Sequence, residues 1–367
     1  MYRYNQVKAV HLEITSKCNA RCPMCLRTVC GGKDNPNLPL VELSLDHVKE
    51  MFPRPFIQQL DRMYMCGNYG DPIVAKETLE VFKYFREINP KIDLSMFTNG
   101  SAKNESWWKE LATVVDLVHF SIDGLEDTNH LYRKGTNFPV IMKNIKAYRE
   151  AGGEAVWDYI VFRHNEHQIE EARTLAKEFG FKKFNLKKTG RFFSNTRVES
   201  KDKQEVYNRQ GELDYYIEMP LDKKFHNRAV AKEASLIEKY GSLENYLDKT
   251  PVNCKVAAEK SIYVSAMGRA FPCCWTANQL YPWYFKDGES YMWKLLDELE
   301  GGVGSLDLRK NSLRAVIDGE FFQDVLLKSW KRNSVKEGKP KCCAKTCGSE
   351  FDPFKEQFEP VVEQALV

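Results

Sequence analysis

Three thiols stand at C-x3-C-x2-C spacing in Cys18-Asn19-Ala20-Arg21-Cys22-Pro23-Met24-Cys25. Thiolates this close in sequence can converge on one metal centre, and soft sulfur suits an iron–sulfur cluster or zinc. Cys30 follows five residues on. A four-thiolate zinc or ferredoxin-like site of Cys18, Cys22, Cys25 and Cys30 is therefore the plainer alternative. A second group lies toward the other end of the chain: Cys254, Cys273 and Cys274, then Cys342, Cys343 and Cys347. Cys66 stands alone, and with Cys30 it reads as an ordinary buried thiol. The chain has 11 cysteines among 367 residues. An odd count gathered at the two ends fits metal ligation in a reducing cytoplasm better than a secreted disulfide scaffold.

What must position these thiols is a run of alternating strands and helices. Val10, Leu12 and Ile14 alternate with His11, Glu13 and Thr15, the period-two pattern of a half-buried strand. Ser16, Lys17, Asn19 and Pro23 break it, which puts the first thiols on a loop leaving that strand. Ser44 is placed to cap a helix through Met51. Further strands are predicted at 63–66, 92–97, 115–122, 156–162 and 183–186. Helices alternate with them, at Leu79 to Ile88, Trp107 to Val114, Val140 to Tyr148 and Ile169 to Phe179. Six strand–helix units in about 190 residues describe an α/β fold, a partial (β/α)6 TIM-like barrel. Its working face lies at the carboxyl ends of the strands. Farther on, residues 261–265 and 270–272 flank Met267-Gly268-Arg269, a hairpin signal. From Ser312, Val316 and Val325 mark one helix packed beneath the second cysteine group. The stretch 191–250 is charged and tyrosine-rich, with no clean period before a helix over 230–240.

Bulk composition narrows the classes. Hydrophobic residues at 43% are ample for a large core, and the length calls for a barrel with an appendage. Lys and Arg number 54 against 51 Asp and Glu, a net charge of +3 that exerts no global pull toward nucleic acid or membrane. No run approaches the ~20 apolar residues of a membrane span. Met1-Tyr2-Arg3-Tyr4-Asn5-Gln6 lacks the apolar core of a secretory signal, and the expected location is the cytoplasm.

The cysteine loop after a first strand resembles the signature of the radical S-adenosylmethionine (radical SAM) enzymes. One small departure is Met24, where that family usually has an aromatic residue. The resemblance implies that Cys18, Cys22 and Cys25 hold a [4Fe–4S] cluster whose fourth iron takes S-adenosylmethionine. The later strand ends follow the same pattern in order. Gly67-Asn68-Tyr69-Gly70-Asp71-Pro72 is similar to the family's Gly-Gly-Glu motif, with Asp71 in place of Glu. Gly70 lets backbone approach a ligand, and a carboxylate or backbone carbonyl there would accept from the methionine ammonium. Ser121-Ile122-Asp123-Gly124 and Tyr132-Arg133-Lys134-Gly135 look like the family's fourth-strand segment. Ser121 and Arg133 would then contact the methionine carboxylate, for which the planar fork of Arg is suited. Asn99 would hydrogen-bond the cofactor from the third strand.

The second cysteine group resembles the C-terminal auxiliary-cluster domain of such enzymes, SPASM or its shorter relative Twitch. The implied ligands of one auxiliary [4Fe–4S] cluster are Cys254, Cys273, Cys343 and Cys347. Cys274 and Cys342 abut them, so the set can shift by one at either place, and a four-thiolate zinc site is the alternative. The spacings of a two-cluster SPASM domain are missing, which favours one cluster. The chain then divides into a radical SAM partial barrel at 1–190, a bridge at 191–250 and a small α+β auxiliary-cluster domain at 251–367.

The chemistry implied is reductive cleavage of S-adenosylmethionine to a 5′-deoxyadenosyl radical, which takes a hydrogen atom from a substrate carbon. The auxiliary cluster would accept the electron left behind or anchor the substrate. An external one-electron reductant such as flavodoxin or ferredoxin is required. Asp158 and His164 are candidate bases by position. In the basic run Lys182, Lys183, Lys187, Lys188 and Arg191, the last two would reach the barrel mouth, where a substrate carboxylate or phosphate could bind. A peptide or protein substrate, oxidised or cross-linked, is the first reading. About a dozen residues precede the first strand, which leaves no room for a leader-binding domain. Twitch-type dehydrogenation of a cyclitol or sugar alcohol is the main alternative. RNA modification is disfavoured by the flat charge balance. The ending Glu363-Gln364-Ala365-Leu366-Val367 lacks the Gly-Gly associated with the molybdenum-cofactor cyclase. A thiolate–zinc structural protein is the non-enzyme alternative.

Overall fold

The computed structural model describes residues 1–192, 202–284 and 290–352. The tail beyond Pro353 and residues 193–201 of the bridge lie outside the described residues. Strands β1 (Ala9–Leu12), β2 (Arg62–Met65), β3 (Asp93–Thr98), β4 (Leu117–Ser121), β5 (Ala155–Ile160) and β6 (Lys183–Lys187) pair in parallel, each with the next. Such pairing needs a crossover between every two strands. The helices Thr78–Ile88, Glu105–Leu111, Phe138–Glu150 and Ile169–Glu178 supply it, with Leu45–Met51 and Arg54–Gln58 between β1 and β2. Their starts are marked by polar caps: Ser44 accepts from His47 N at 3.2 Å, Asn104 from Trp107 N at 3.0 Å and Asn137 from Val140 N at 3.0 Å.

Between sheet and helices the core is built of interlocked rings. Trp108 packs on Phe120 at 5.4 Å, Phe120 meets Phe181 edge-on at 6.1 Å, and Phe181 packs on Trp157 at 5.4 Å.

Three expectations are corrected. First, β1 is buried on both faces rather than one, with His11 at 7% and Glu13 at 1% exposure. Its polar alternate residues face the barrel interior instead of water. Second, the stretch 191–250 contains an antiparallel hairpin, β7 (Lys203–Tyr207) with β8 (Leu213–Glu218), ahead of the helix Ala229–Tyr240. Val206 and Ile217 are its buried apolar anchors, too few to show a period. The hairpin covers the amino-terminal cysteine loop: Tyr207 N donates to Cys30 O at 2.9 Å, and Val206 and Ile217 pack with Ala20, Cys22 and Tyr132. Third, the single helix from Ser312 is two pieces, Leu313–Ile317 and a turn at Phe321–Val325 that runs into Leu326–Ser329, broken at Asp318-Gly319.

The predicted hairpin at 261–272 is present as β9 (Ser261–Val264) and β10 (Ala270–Phe271). It does not stand apart from the barrel. β9 pairs in parallel with β1, giving one eight-stranded sheet in the order β10-β9-β1-β2-β3-β4-β5-β6. Among the described residues no helix is long and apolar enough to cross a membrane.

A chain ending at residue 250 would leave the β1 edge without its partner Ser261–Val264. Size-exclusion chromatography of this truncation should show aggregates in place of monomer; a soluble, cooperatively folding monomer would contradict the joint sheet.

Candidate functional site

At the carboxyl ends of the strands lies a cavity of about 670 Å³. Cys18, Cys22 and Cys25 line it, and so do Gly70, Asp71, Asn99, Ser121 and Arg133. Cys254, Cys273, Cys274, Cys342, Cys343 and Cys347 line it from the other side. The fold therefore brings both cysteine groups, more than 200 residues apart in sequence, to one space. Cys30 is not part of the lining; its sulfur accepts from Gln204 Nε2 of the hairpin at 3.3 Å. Cys66 differs from its expectation as a spare buried thiol, because it faces the cavity.

The amino-terminal thiols sit among N–H donors. Cys18 Sγ accepts from Ala20 N at 3.3 Å and Asn99 Nδ2 at 3.8 Å, and Cys22 Sγ from Arg133 Nη1 at 3.8 Å. Burial pushes both thiols up, while Arg133 pulls Cys22 back toward the thiolate. The loop is braced by Arg27, which donates to Ala20 O, and by Arg21, paired with Asp34 at 2.8 Å.

Asp71 has a different task from the one its motif suggests. Its carboxylate accepts from Thr98 Oγ1 at 2.8 Å, Asn99 N at 2.8 Å, Asn99 Nδ2 at 2.8 Å and Ile73 N at 3.2 Å. Both oxygens are thus engaged within the protein, and they tie the end of β2 to the end of β3. The turn from Gly67 to Asp71 lines the cavity. Gly70 is required there, because a Cβ would lie 1.8 Å from Thr15 O. Asn99 in turn donates to Asn19 Oδ1 at 2.9 Å, joining the strand end to the cysteine loop. Arg133 is held by Asp123 at 2.6 Å. Burial opposes its charge, but Asp123 and the Cys22 sulfur outweigh that cost.

Glu13, absent from the cavity lining and not singled out by sequence, holds the turn of the site from behind. It accepts from Tyr69 N at 2.7 Å, from Gly70 N at 3.2 Å and from the Tyr263 hydroxyl. The available signal was an ionisable residue on the inward register of β1.

In the second group the hairpin β9–β10 brings Cys273 to Cys254, and Asn253 N donates to Cys347 O at 2.7 Å. Cys347 is the neighbour that most perturbs the Cys254 thiol, pushing it up. Cys273 has Cys342 and Cys347 as electrostatic neighbours, whereas Cys274 turns to Cys66 and Glu13 in the barrel. Cys342 and Cys343 stand with their sulfurs 4.0 Å apart. Among the described residues no three His, Cys, Asp or Glu side chains converge tightly enough for a single ion. All-sulfur donor sets spread around a cavity, with N–H groups aimed at sulfur, fit iron–sulfur clusters.

Of the two candidate bases, Asp158 lines the cavity and His164 does not. His164 stacks on Phe162 at 5.4 Å. Burial would raise Asp158, but Lys187 at 2.8 Å and His119 at 3.2 Å hold its carboxyl well below the usual range. A base for neutral pH needs a pKa near 7, so Asp158 is a counter-ion here. The basic residues expected at the barrel mouth differ by one position from those found there. Lys188 lies outside the cavity lining, while Lys187, on the inward register of β6, and Arg191 reach it.

Residues 12–176 match the family model of the radical SAM superfamily. This chain contains a radical SAM domain. Such domains work with a [4Fe–4S] cluster and S-adenosylmethionine. Among curated relatives, the tungsten-containing aldehyde ferredoxin oxidoreductase cofactor-modifying protein of Pyrococcus furiosus is 30% identical over 153 residues, 40% of each chain. The cysteine-type anaerobic sulfatase-maturating enzyme of Clostridium novyi is 27% identical over 142 residues, 36% of this chain and 37% of that protein. The chain thus spans about two fifths of the length of these relatives. Two solved structures share the fold at TM-scores just above one half. Native anSMEcpe with bound AdoMet and Cp18Cys peptide gives 0.51, at 17% identity over 96% of this chain and 95% of that one. Streptococcus suis SuiB bound to precursor peptide SuiA gives 0.52, at 12% identity over 88% of this chain and 68% of that one.

Asp71→Ala would strip the buried Asn99 N–H of its acceptor. Urea unfolding should show a loss of about 1–3 kcal/mol; an unchanged midpoint would refute the tie between β2 and β3.

Proposed function

We propose that this chain is a radical SAM enzyme that cleaves S-adenosylmethionine reductively and modifies a peptide or protein substrate. The observation that carries the reading is the shared cavity, onto which the C-x3-C-x2-C loop, the strand-end residues and the second cysteine group all open. In this reading Cys18, Cys22 and Cys25 hold the cluster and leave one iron for S-adenosylmethionine. The turn at Gly70 receives the methionine ammonium on its backbone, with Asp71 and Asn99 fixing the turn. Ser121 and Arg133 take the methionine carboxylate, and Asp123 keeps Arg133 in place. Cys254, Cys273, Cys343 and Cys347 hold one auxiliary [4Fe–4S] cluster.

When bound, cluster and S-adenosylmethionine supply a 5′-deoxyadenosyl radical that removes a hydrogen atom from a substrate carbon. The protein binds, orients and excludes water. The hairpin β7–β8 performs the last task at the cysteine loop, where Val206, Ile217, Tyr132 and Phe162 form a dry cover. The functional division is a radical SAM barrel at 1–190, a bridge with this cover at 191–250 and an auxiliary-cluster segment at 251–367. The electron comes from an external donor of the flavodoxin or ferredoxin kind in the cytoplasm. Support for a peptide substrate comes from the two fold neighbours, each of which holds a peptide.

Anaerobic reconstitution with iron and sulfide should give about eight irons per chain, two four-iron clusters. Dithionite and S-adenosylmethionine should then yield 5′-deoxyadenosine. Cys18→Ala should abolish that product, and Cys343→Ala should lower iron to about half while the product persists. Zinc in place of iron, with the sulfonium left intact, would overturn the reading.

A further inference from the structure

One cluster of charged side chains in the cavity belongs to neither cysteine group nor to the strand-end residues that face S-adenosylmethionine. It lies at the carboxyl end of β6, at the opposite edge of the sheet from β9 and β10. Lys187 Nζ meets Asp158 Oδ2 at 2.8 Å. The same oxygen meets His119 Nδ1 at 3.2 Å, and Asp158 Oδ1 accepts from Asn185 Nδ2 at 2.9 Å. The side chain of Asp158 is 2% exposed and that of Lys187 15%. Both line the cavity.

From this cluster a wall of rings runs back across the sheet, one from each strand. His119 of β4 stacks on Phe97 of β3 at 4.2 Å, and Phe97 meets Tyr64 of β2 edge-on at 6.2 Å. Tyr64 stacks on His11 of β1 at 4.6 Å, and His11 meets Tyr263 of β9 at 4.8 Å. Burial lowers the pKa of His11 to about 4, and burial raises that of Tyr64, so neither carries charge at neutral pH. Beside Lys187, the Cys66 thiol has Glu13, Asp71 and Asp158 as its other electrostatic neighbours.

These surroundings select what Lys187 can hold. A carboxylate or phosphate placed on the ammonium would also confront Asp158 and would compete with it for the same charge in a desolvated space. A neutral acceptor takes an N–H from Lys187 and leaves the ion pair intact. We propose that Lys187, held by Asp158, anchors the substrate through the carbonyl oxygen of an uncharged amide, and that the ring wall packs against the uncharged group beside it. This rests on the radical SAM reading of the same cavity. It narrows the substrate to one that presents a neutral amide, as a peptide backbone does, over an anionic metabolite.

The test uses the anaerobically reconstituted holoprotein with S-adenosylmethionine and saturation-transfer NMR. The probes are N-acetylalanine methylamide, acetate and inorganic phosphate. The amide should bind the natural chain, and Lys187→Met should weaken it at least tenfold. Lys187→Gln, which keeps a neutral N–H donor, should retain binding within about threefold and covers the case of a misfolded Met variant. Acetate and phosphate should show no binding that depends on Lys187. Absence of amide binding, equal binding by the natural chain and Lys187→Met, or anion binding tighter than amide binding would each overturn the anchor. Formation of 5′-deoxyadenosine by the natural chain is scored separately. Its absence overturns the parent reading, whereas its presence with a failed amide result overturns the anchor alone.

Discussion

A buried carboxyl group, Glu13, is the point on which the rest of the molecule turns. It sits where β1 runs into the cysteine loop, and it accepts from the backbone of the Gly67–Asp71 turn and from the hydroxyl of Tyr263. Three segments distant in sequence meet on one side chain. Burial pushes its pKa up, while the Tyr263 hydroxyl and the backbone N–H groups draw it down. A group this deep is costly without such partners. The parallel pairing of β9 with β1 sets Tyr263 in reach, so the late hairpin and the early turn are tied through one side chain.

The same joining explains how two cysteine groups come to face each other. Cys254 precedes β9, and Cys273 follows β10, so both thiols are delivered to the barrel mouth by the strand that closes against β1. The surrounding charges are paired in advance. Arg133 is held by Asp123, Arg21 and Arg27 by Asp34, and Lys187 by Asp158. Fixed, already-paired charges limit reorganisation when an anionic thiolate centre forms, because the donors are in place before it does. The cover formed by β7–β8 adds a dry wall over the loop of Cys18, Cys22 and Cys25. Water exclusion there strengthens electrostatic interactions inside.

Much of this was legible from residue type and spacing alone. The C-x3-C-x2-C loop, the order of six strands and their crossovers, and the polar residues at strand ends depend on local properties: side-chain periodicity, turn chemistry and ligand type. The helix start at Ser44 follows from a side chain that satisfies a nearby N–H group. Tertiary structure alone decided that both faces of β1 are buried, because alternation in sequence cannot say whether polar residues meet water or a closed interior. It decided that Asp71 is consumed by Asn99 and Thr98, since those partners come from another strand. It also decided between Lys187 and Lys188, adjacent in sequence and opposite in direction, because a strand sends successive side chains to opposite faces and only the closed sheet defines which face is inside.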